Sequence, residues 1–132
     1  MKLVIAATLT CFLATNAFAE ITIKDLLAGI SDSKTDAQKD LWWADAKGSQ
    51  MEITGRVTDV TAAGWILNVG VEIDIDNGRG AAGTCYVREE ANDTTIATIN
   101  KGDKVTCKGK FLTYTELFGV TVTLDDSSLK KH

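Results

Sequence analysis

The sequence predicts a mostly β protein: a small five-stranded Greek-key barrel with an N-terminal helical lead-in and a short helix between strands three and four. Three observations carry that prediction. At Met51 the spacing of apolar residues changes from a helical period to alternation. Five short strand-like segments follow, separated by turns rich in Gly and Asn. One helical pattern lies between the third and fourth of them, and three strands, a helix and two strands is the order in which a small closed barrel is wound. A β-sandwich asks for about seven strands and fits less well. The length of 132 residues suits one domain, and 45% hydrophobic with 24% charged residues is globular composition.

The chain divides into residues 1–19, a helical lead-in over 20–50, the barrel over 51–125 and a polar tail over 126–132. Met1-Lys2, the apolar run Leu3–Leu13 and the small residues of Ala17-Phe18-Ala19 are the three parts of a secretory signal peptide cleaved before Glu20. A membrane anchor would need about 20 apolar residues and no cleavage site. A lipid attachment at Cys11 is the weaker alternative, because Thr10 stands where a smaller residue is expected. No later segment is apolar enough to span a bilayer, so a periplasmic or secreted mature chain is expected.

Ile23, Leu26, Leu27 and Ile30 share one helical face, ended by Gly29 and the Ser31-Asp32-Ser33 cluster. Thr35 caps a second helix with Gln38 in the capping-box position, and that helix carries Ala37, Leu41, Trp42 and Ala44 before stopping at Gly48. Trp42 and Trp43 stand 100° apart on a helix, so one is expected on the barrel and Trp43 is a candidate contact anchor. The first strand is Glu52–Thr61, with Gly55 marking a bulge or bend. Trp65 to Ile75 alternate as the second, and Asn77-Gly78 with Gly80 and Gly83 forms the turn after it. Thr84–Arg88 is the third strand, Glu89–Asn100 the short helix and Lys104–Phe111 the fourth strand. Gly119–Leu124 is the fifth, and Asp125–His132 is expected to fray. This is the strand order of the OB-fold.

The runs Thr35-Asp36-Ala37-Gln38, Gly48, Ile53-Thr54-Gly55-Arg56-Val57-Thr58-Asp59-Val60, Lys101-Gly102-Asp103-Lys104-Val105 and Gly109-Lys110 resemble the exported tRNA-anticodon-binding-like OB-fold proteins of bacteria and their phages. The resemblance spans residues 35–125. It implies a small OB barrel behind a signal peptide or lipid anchor, and it brings no catalytic set. The family name records a likeness of fold and does not imply that tRNA is bound.

The chemistry-bearing residues are few. The one histidine, His132, is the last residue, which removes Ser-His-Asp and Cys-His catalysis and His-ligated zinc. No enzymatic activity and no cofactor are expected. A net charge of −4 argues against nucleic acid as a partner, since phosphate contacts need a cationic field. Cys85 and Cys107 are an even pair in an exported chain, to be read either as a disulfide or as two buried thiols. Glu72, Asp74 and Asp76 alternate on one strand face and are the metal candidate, the basis of a divalent-metal-stabilised accessory domain. Their spacing is not that of a calcium loop, and that mismatch favours a solvated strand face.

Three further groups are candidate contacts. OB barrels bind on the outer face of strands two and three, which here carries Tyr86 and Arg88 beside Ile66, Asn68, Glu72 and Thr84. Tyr114, Leu117 and Phe118 fall between strands four and five, where such barrels also touch ligands. Lys101, Lys104, Lys108 and Lys110 form a basic ridge, either a contact for an acidic surface or a guard against edge pairing. The expectation is a non-enzymatic binding module whose partner is a cell-envelope protein, with a glycan or small ligand on the barrel face as the alternative.

Overall fold

The computed structural model describes residues 20–63, 68–76, 78–88 and 96–132, and of residues 62, 63, 68 and 88 the backbone only. The leader with Cys11, residues 65–67 of the second strand, Asn77 and residues 89–95 of the short helix lie outside the described residues. Residues 96–98 are helical, at the end of that expected helix.

The elements are β1 (Glu20–Ile21), α1 (Ile23–Gly29), α2 (Asp36–Ala46), β2 (Gln50–Ala63), β3 (Asn68–Ile75), β4 (Ala82–Arg88), β5 (Lys104–Thr115) and β6 (Thr121–Lys131). The sheet order is β1-β2-β3-β4-β6-β5, and β2 also pairs with β5. Strands β2 to β6 therefore close on themselves, and β1 adds in parallel to the start of β2. Because β6 pairs parallel with β4 and antiparallel with β5, the chain crosses the barrel as a Greek key. That closed five-stranded topology is the OB-fold.

The strand β2 serves two partners, β5 along Gln50–Arg56 and β3 along Gly55–Ala63. Gly55 sits at the handover, where a Cβ would run into the Asp74 carbonyl oxygen. The register shift lies just beyond it, between Val57 and Asp59, so Gly55 provides the close approach and its neighbours the bulge. In β3 the predicted alternation holds: Val69, Val71, Ile73 and Ile75 are buried while Glu72 and Asp74 face outward. The core also takes Phe111, Val122 and Leu124 from the last two strands. Cys85 and Cys107 are joined, linking β4 to β5 through the interior with their Cα atoms 6.7 Å apart.

The C-terminal segment departs from expectation. Residues 125–131 do not fray but continue β6, pairing with β5 as far as Val105↔Lys131. The register shifts between Lys108 and Lys110, and Asp126 adopts φ 49°, so the inward set runs Leu124, Ser127, Leu129. A bulge changes the phase of the alternation, and a pattern of period two therefore stops being visible at Leu124.

Both helices begin with the capping box, Thr22 with Asp25 and Thr35 with Gln38. The packing of α2 departs from the expectation that one of its two tryptophans would face the barrel: both pack against the core. Leu41 is 72% exposed and Ala44 is exposed, whereas Trp42, Trp43 and Ala46 do the packing. Trp42 lies over Gly29 of α1 and its ring centroid is 5.8 Å from that of Phe111. Trp43 is likewise half-buried: its Nε1 donates to the Leu112 carbonyl at 3.0 Å and Lys47 stands over its ring. Trp43 is thus a strut between α2 and β5 rather than a free anchor.

Candidate functional site

The β5–β6 hairpin closes with the pair Thr115↔Thr121, leaving residues 116–120 as its tip. Tyr114, expected in that loop, instead belongs to β5 and packs half-buried against the core. Burial raises its hydroxyl above the ordinary tyrosine value, and the Glu116 carboxylate adds to that. Leu117 is 74% and Phe118 100% exposed. Phe118 adopts φ 57° and Gly119 φ 102°, so two successive left-handed residues turn the aromatic outward. Glu116 fixes the base of the tip to α2 through Lys39, at 3.1 Å and 3.2 Å to the two carboxylate oxygens. Hydrogen bonding to Glu116 raises the Lys39 amine above its ordinary value.

A second turn abuts the first. Between β3 and β4 the chain bends through Arg79 (φ 53°) and Gly80 (φ 84°). Its backbone is closed by bonds from Ile75 to Ala81 (3.1 Å) and Ala81 to Gly78 (2.9 Å). The Ala82 amide then donates to the Val120 carbonyl at 2.9 Å, joining this turn to the hairpin. Sequence reading passed over Arg79; its signal was the flanking pair Gly78 and Gly80, which marks a tight turn and displays whatever lies between.

The outer face of β3 and β4 runs into these turns. Tyr86 lies opposite Gly70, with its ring over the Cβ-less backbone there. Glu72, Thr84, Thr123 and Thr113 follow one another in register across four strands. Arg88 ends β4 opposite Asn68.

The acidic row is not brought together as a metal site. Among the described residues no group of three or more His, Cys, Asp or Glu could hold an ion. Alternate residues on one strand stand roughly 7 Å apart, whereas calcium ligands lie about 2.3–2.6 Å from the ion. Asp76 is moreover engaged by Lys104 at 3.3 Å. The basic ridge is neutralised residue by residue: Lys101 with Asp59, Lys108 with Glu20 and Lys110 with Asp126 complete the set within 4.0 Å. His132, placed by sequence outside any chemistry, hydrogen-bonds through Nε2 to Thr106 Oγ1 at 2.6 Å, and Thr106 bonds Thr54 at 2.8 Å. This chain of hydroxyls extends the β2–β5 ladder at the surface.

No family model matches the chain, so the tRNA-anticodon-binding-like assignment rests on the resemblance alone. No curated protein matches it either. Solved structures do. The mitochondrial single-stranded DNA-binding protein Rim1 of S. cerevisiae is similar at 19% identity and TM-score 0.46, over 63% of this chain and 91% of that one. An OBody bound to hen egg-white lysozyme is similar at 20% identity and TM-score 0.48, over 66% and 86%. The S. pombe Stn1-Ten1 complex is similar at 12% identity and TM-score 0.44, over 63% and 57%. These likenesses are ones of fold. They correct one expectation all the same. The barrel is shared with single-stranded DNA-binding proteins, so the exclusion of nucleic acid by net charge is withdrawn. A charge summed over the whole chain does not describe the potential at one face.

Proposed function

We propose that this OB-fold chain is an exported, non-enzymatic binding module of the cell envelope, periplasmic or secreted, whose partner is a protein gripped by the β5–β6 hairpin tip and the adjoining outer face of β3 and β4. One observation carries the reading: Leu117 and Phe118 stand in water at a tip whose backbone is braced on both sides. Covering both side chains is worth roughly 3–6 kcal/mol, which a solvated turn forgoes. A large aromatic in the left-handed region costs a further 1–3 kcal/mol or so, and such conformations gather at ligand contacts. Export is supported by the leader pattern in residues 1–19 and by the Cys85–Cys107 bond, which belongs to oxidising compartments. No helix among the described residues is long and apolar enough to cross a membrane.

The test is to crosslink the protein in the cell envelope and identify captured partners by mass spectrometry. One saturable protein partner is expected, lost in Leu117→Asp and Phe118→Asp. An empty capture from folded, exported protein, or capture that survives both substitutions, overturns the proposal. A second reading is favoured by Tyr86: with one part of its ring on Gly70 and hydroxyls of Thr84 and Thr123 in register beside it, the face suits a sugar. Glycan-induced chemical shift changes that vanish in Tyr86→Ala would establish it.

A further inference from the structure

We infer that the two abutting turns act as one two-pronged anchor, Phe118 entering an apolar pocket of the partner protein while Arg79 pairs with a carboxylate at that pocket's rim. The inference rests on the reading of the hairpin tip as a protein contact, and it names the chemistry of the surface that fits it.

The first ground is shared construction. Arg79-Gly80 and Phe118-Gly119 are both a bulky residue followed by glycine, all four with φ between 53° and 102°. Outside glycine, the left-handed region is visited chiefly by Asn and Asp, so Arg and Phe at these positions are unfavourable for the turns themselves. Each turn nevertheless projects its side chain, and the Ala82–Val120 bond ties the two backbones together. A braced presentation lowers the entropy lost when a partner docks.

Charge is the second ground. Lys101, Lys104, Lys108 and Lys110 are each matched by a carboxylate, and Lys39 is matched by Glu116. Arg79 is exposed and has no ion pair or side-chain hydrogen bond among the described residues. A planar guanidinium left unpaired beside an exposed aromatic matches the residue types on which interface energy concentrates, and its preferred counterpart is a carboxylate held by two bonds. An anionic bilayer would also bury Leu117 and Phe118, but attachment to such a surface draws on a cluster of Lys and Arg, and residues 78–81 and 116–120 carry Arg79 as their one cation, beside Glu116. A protein pocket with an acidic rim is therefore the favoured occupant.

The experiment places photoreactive benzoylphenylalanine at position 118 of the full chain in exporting cells and maps the crosslinked peptide. One protein adduct is expected, on a peptide that pairs apolar residues with Asp or Glu. Arg79→Glu should lower adduct yield about tenfold, Arg79→Lys less, and reversing the partner's carboxylate to a cation should restore it. Circular dichroism and melting confirm that each variant is folded, and Arg79→Gln replaces Arg79→Glu if the latter is not. A protein adduct indifferent to Arg79 overturns the anchor while leaving the hairpin contact standing. Adducts to lipid, with matching binding to phosphatidylglycerol–phosphatidylethanolamine vesicles, overturn it in favour of a membrane. No adduct at all overturns both the anchor and the proposed function.

Discussion

Breaking the Cys85–Cys107 bond is expected to remove about 3 kcal/mol of folding stability. The two cysteines lie 22 residues apart, and closing a loop of that length in the unfolded chain costs roughly 3 kcal/mol of conformational entropy. The bond also joins strands that share no ladder, since β6 lies between β4 and β5 in the sheet order, so no hydrogen bonds substitute for it directly. A domain of this size holds roughly 5–15 kcal/mol in all, which makes the loss a large fraction. The assay is urea unfolding followed by tryptophan fluorescence on oxidised protein and on protein reduced in urea and refolded under reductant. With a urea slope of roughly 1–3 kcal/mol per molar, the midpoint should fall by about 1–3 M. Cys85→Ala/Cys107→Ala should fall further, by roughly 1 kcal/mol for each buried sulfur removed, because reduction leaves the sulfur atoms packed and truncation does not. Coincident curves for the oxidised and reduced proteins, with mass spectrometry confirming the two states, would refute the reasoning.

Three other outcomes follow from named contacts. Gly55→Ala should destabilise by about 3 kcal/mol, since its Cβ meets backbone at Asp74 that cannot rotate away; a loss below about 1 kcal/mol in urea titration would show that β2 shifts to make room. The Asn100 amide, and after it Lys131, hold the Asp103 carboxyl below its ordinary value of 3.8, so its contribution is present above that pH and is lost as pH falls through the lower folded value. Asp103→Asn should therefore be less stable at neutral pH and show a shallower acid limb, and parallel limbs from thermal melts across the acid range would count against the assignment. Leu117→Asp should leave folding stability within about 0.5 kcal/mol of the parent and Phe118→Asp should not lower it, because neither side chain is packed and Asp tolerates the left-handed backbone at 118; a clear loss in either would show that the tip supports the barrel.

The residues differ in how openly they announce their places. The alternation of β3 was legible because one face meets the core and the other meets water at every step. The Thr35–Gln38 box was legible because capping is settled within one turn of chain. Residues 125–131 were not, because the bulge at Asp126 moves the inward set by one residue and makes a strand look like a polar tail. The packing of α2 was misread for a different reason. Trp42 and Trp43 both pack because Gly29 leaves room for one indole and the Leu112 carbonyl receives the other, and both partners are distant in sequence. At the site, Leu117 and Phe118 drew notice as apolar residues in a turn, whereas Arg79 did not.

By itself the sequence determined the elements whose causes are local: period, caps, turn glycines, the pair of cysteines and the order of strands that makes an OB-fold. The tertiary structure decided what depends on residues far apart in the chain. It joined Cys85 to Cys107, set a carboxylate beside each lysine of the ridge, and pinned the hairpin to α2 through Lys39 and Glu116. It also brought the turn at Arg79 against the turn at Phe118. Local patterns record how each segment meets water or core, but which segments meet each other follows from closing the barrel, and no window of sequence contains that closure.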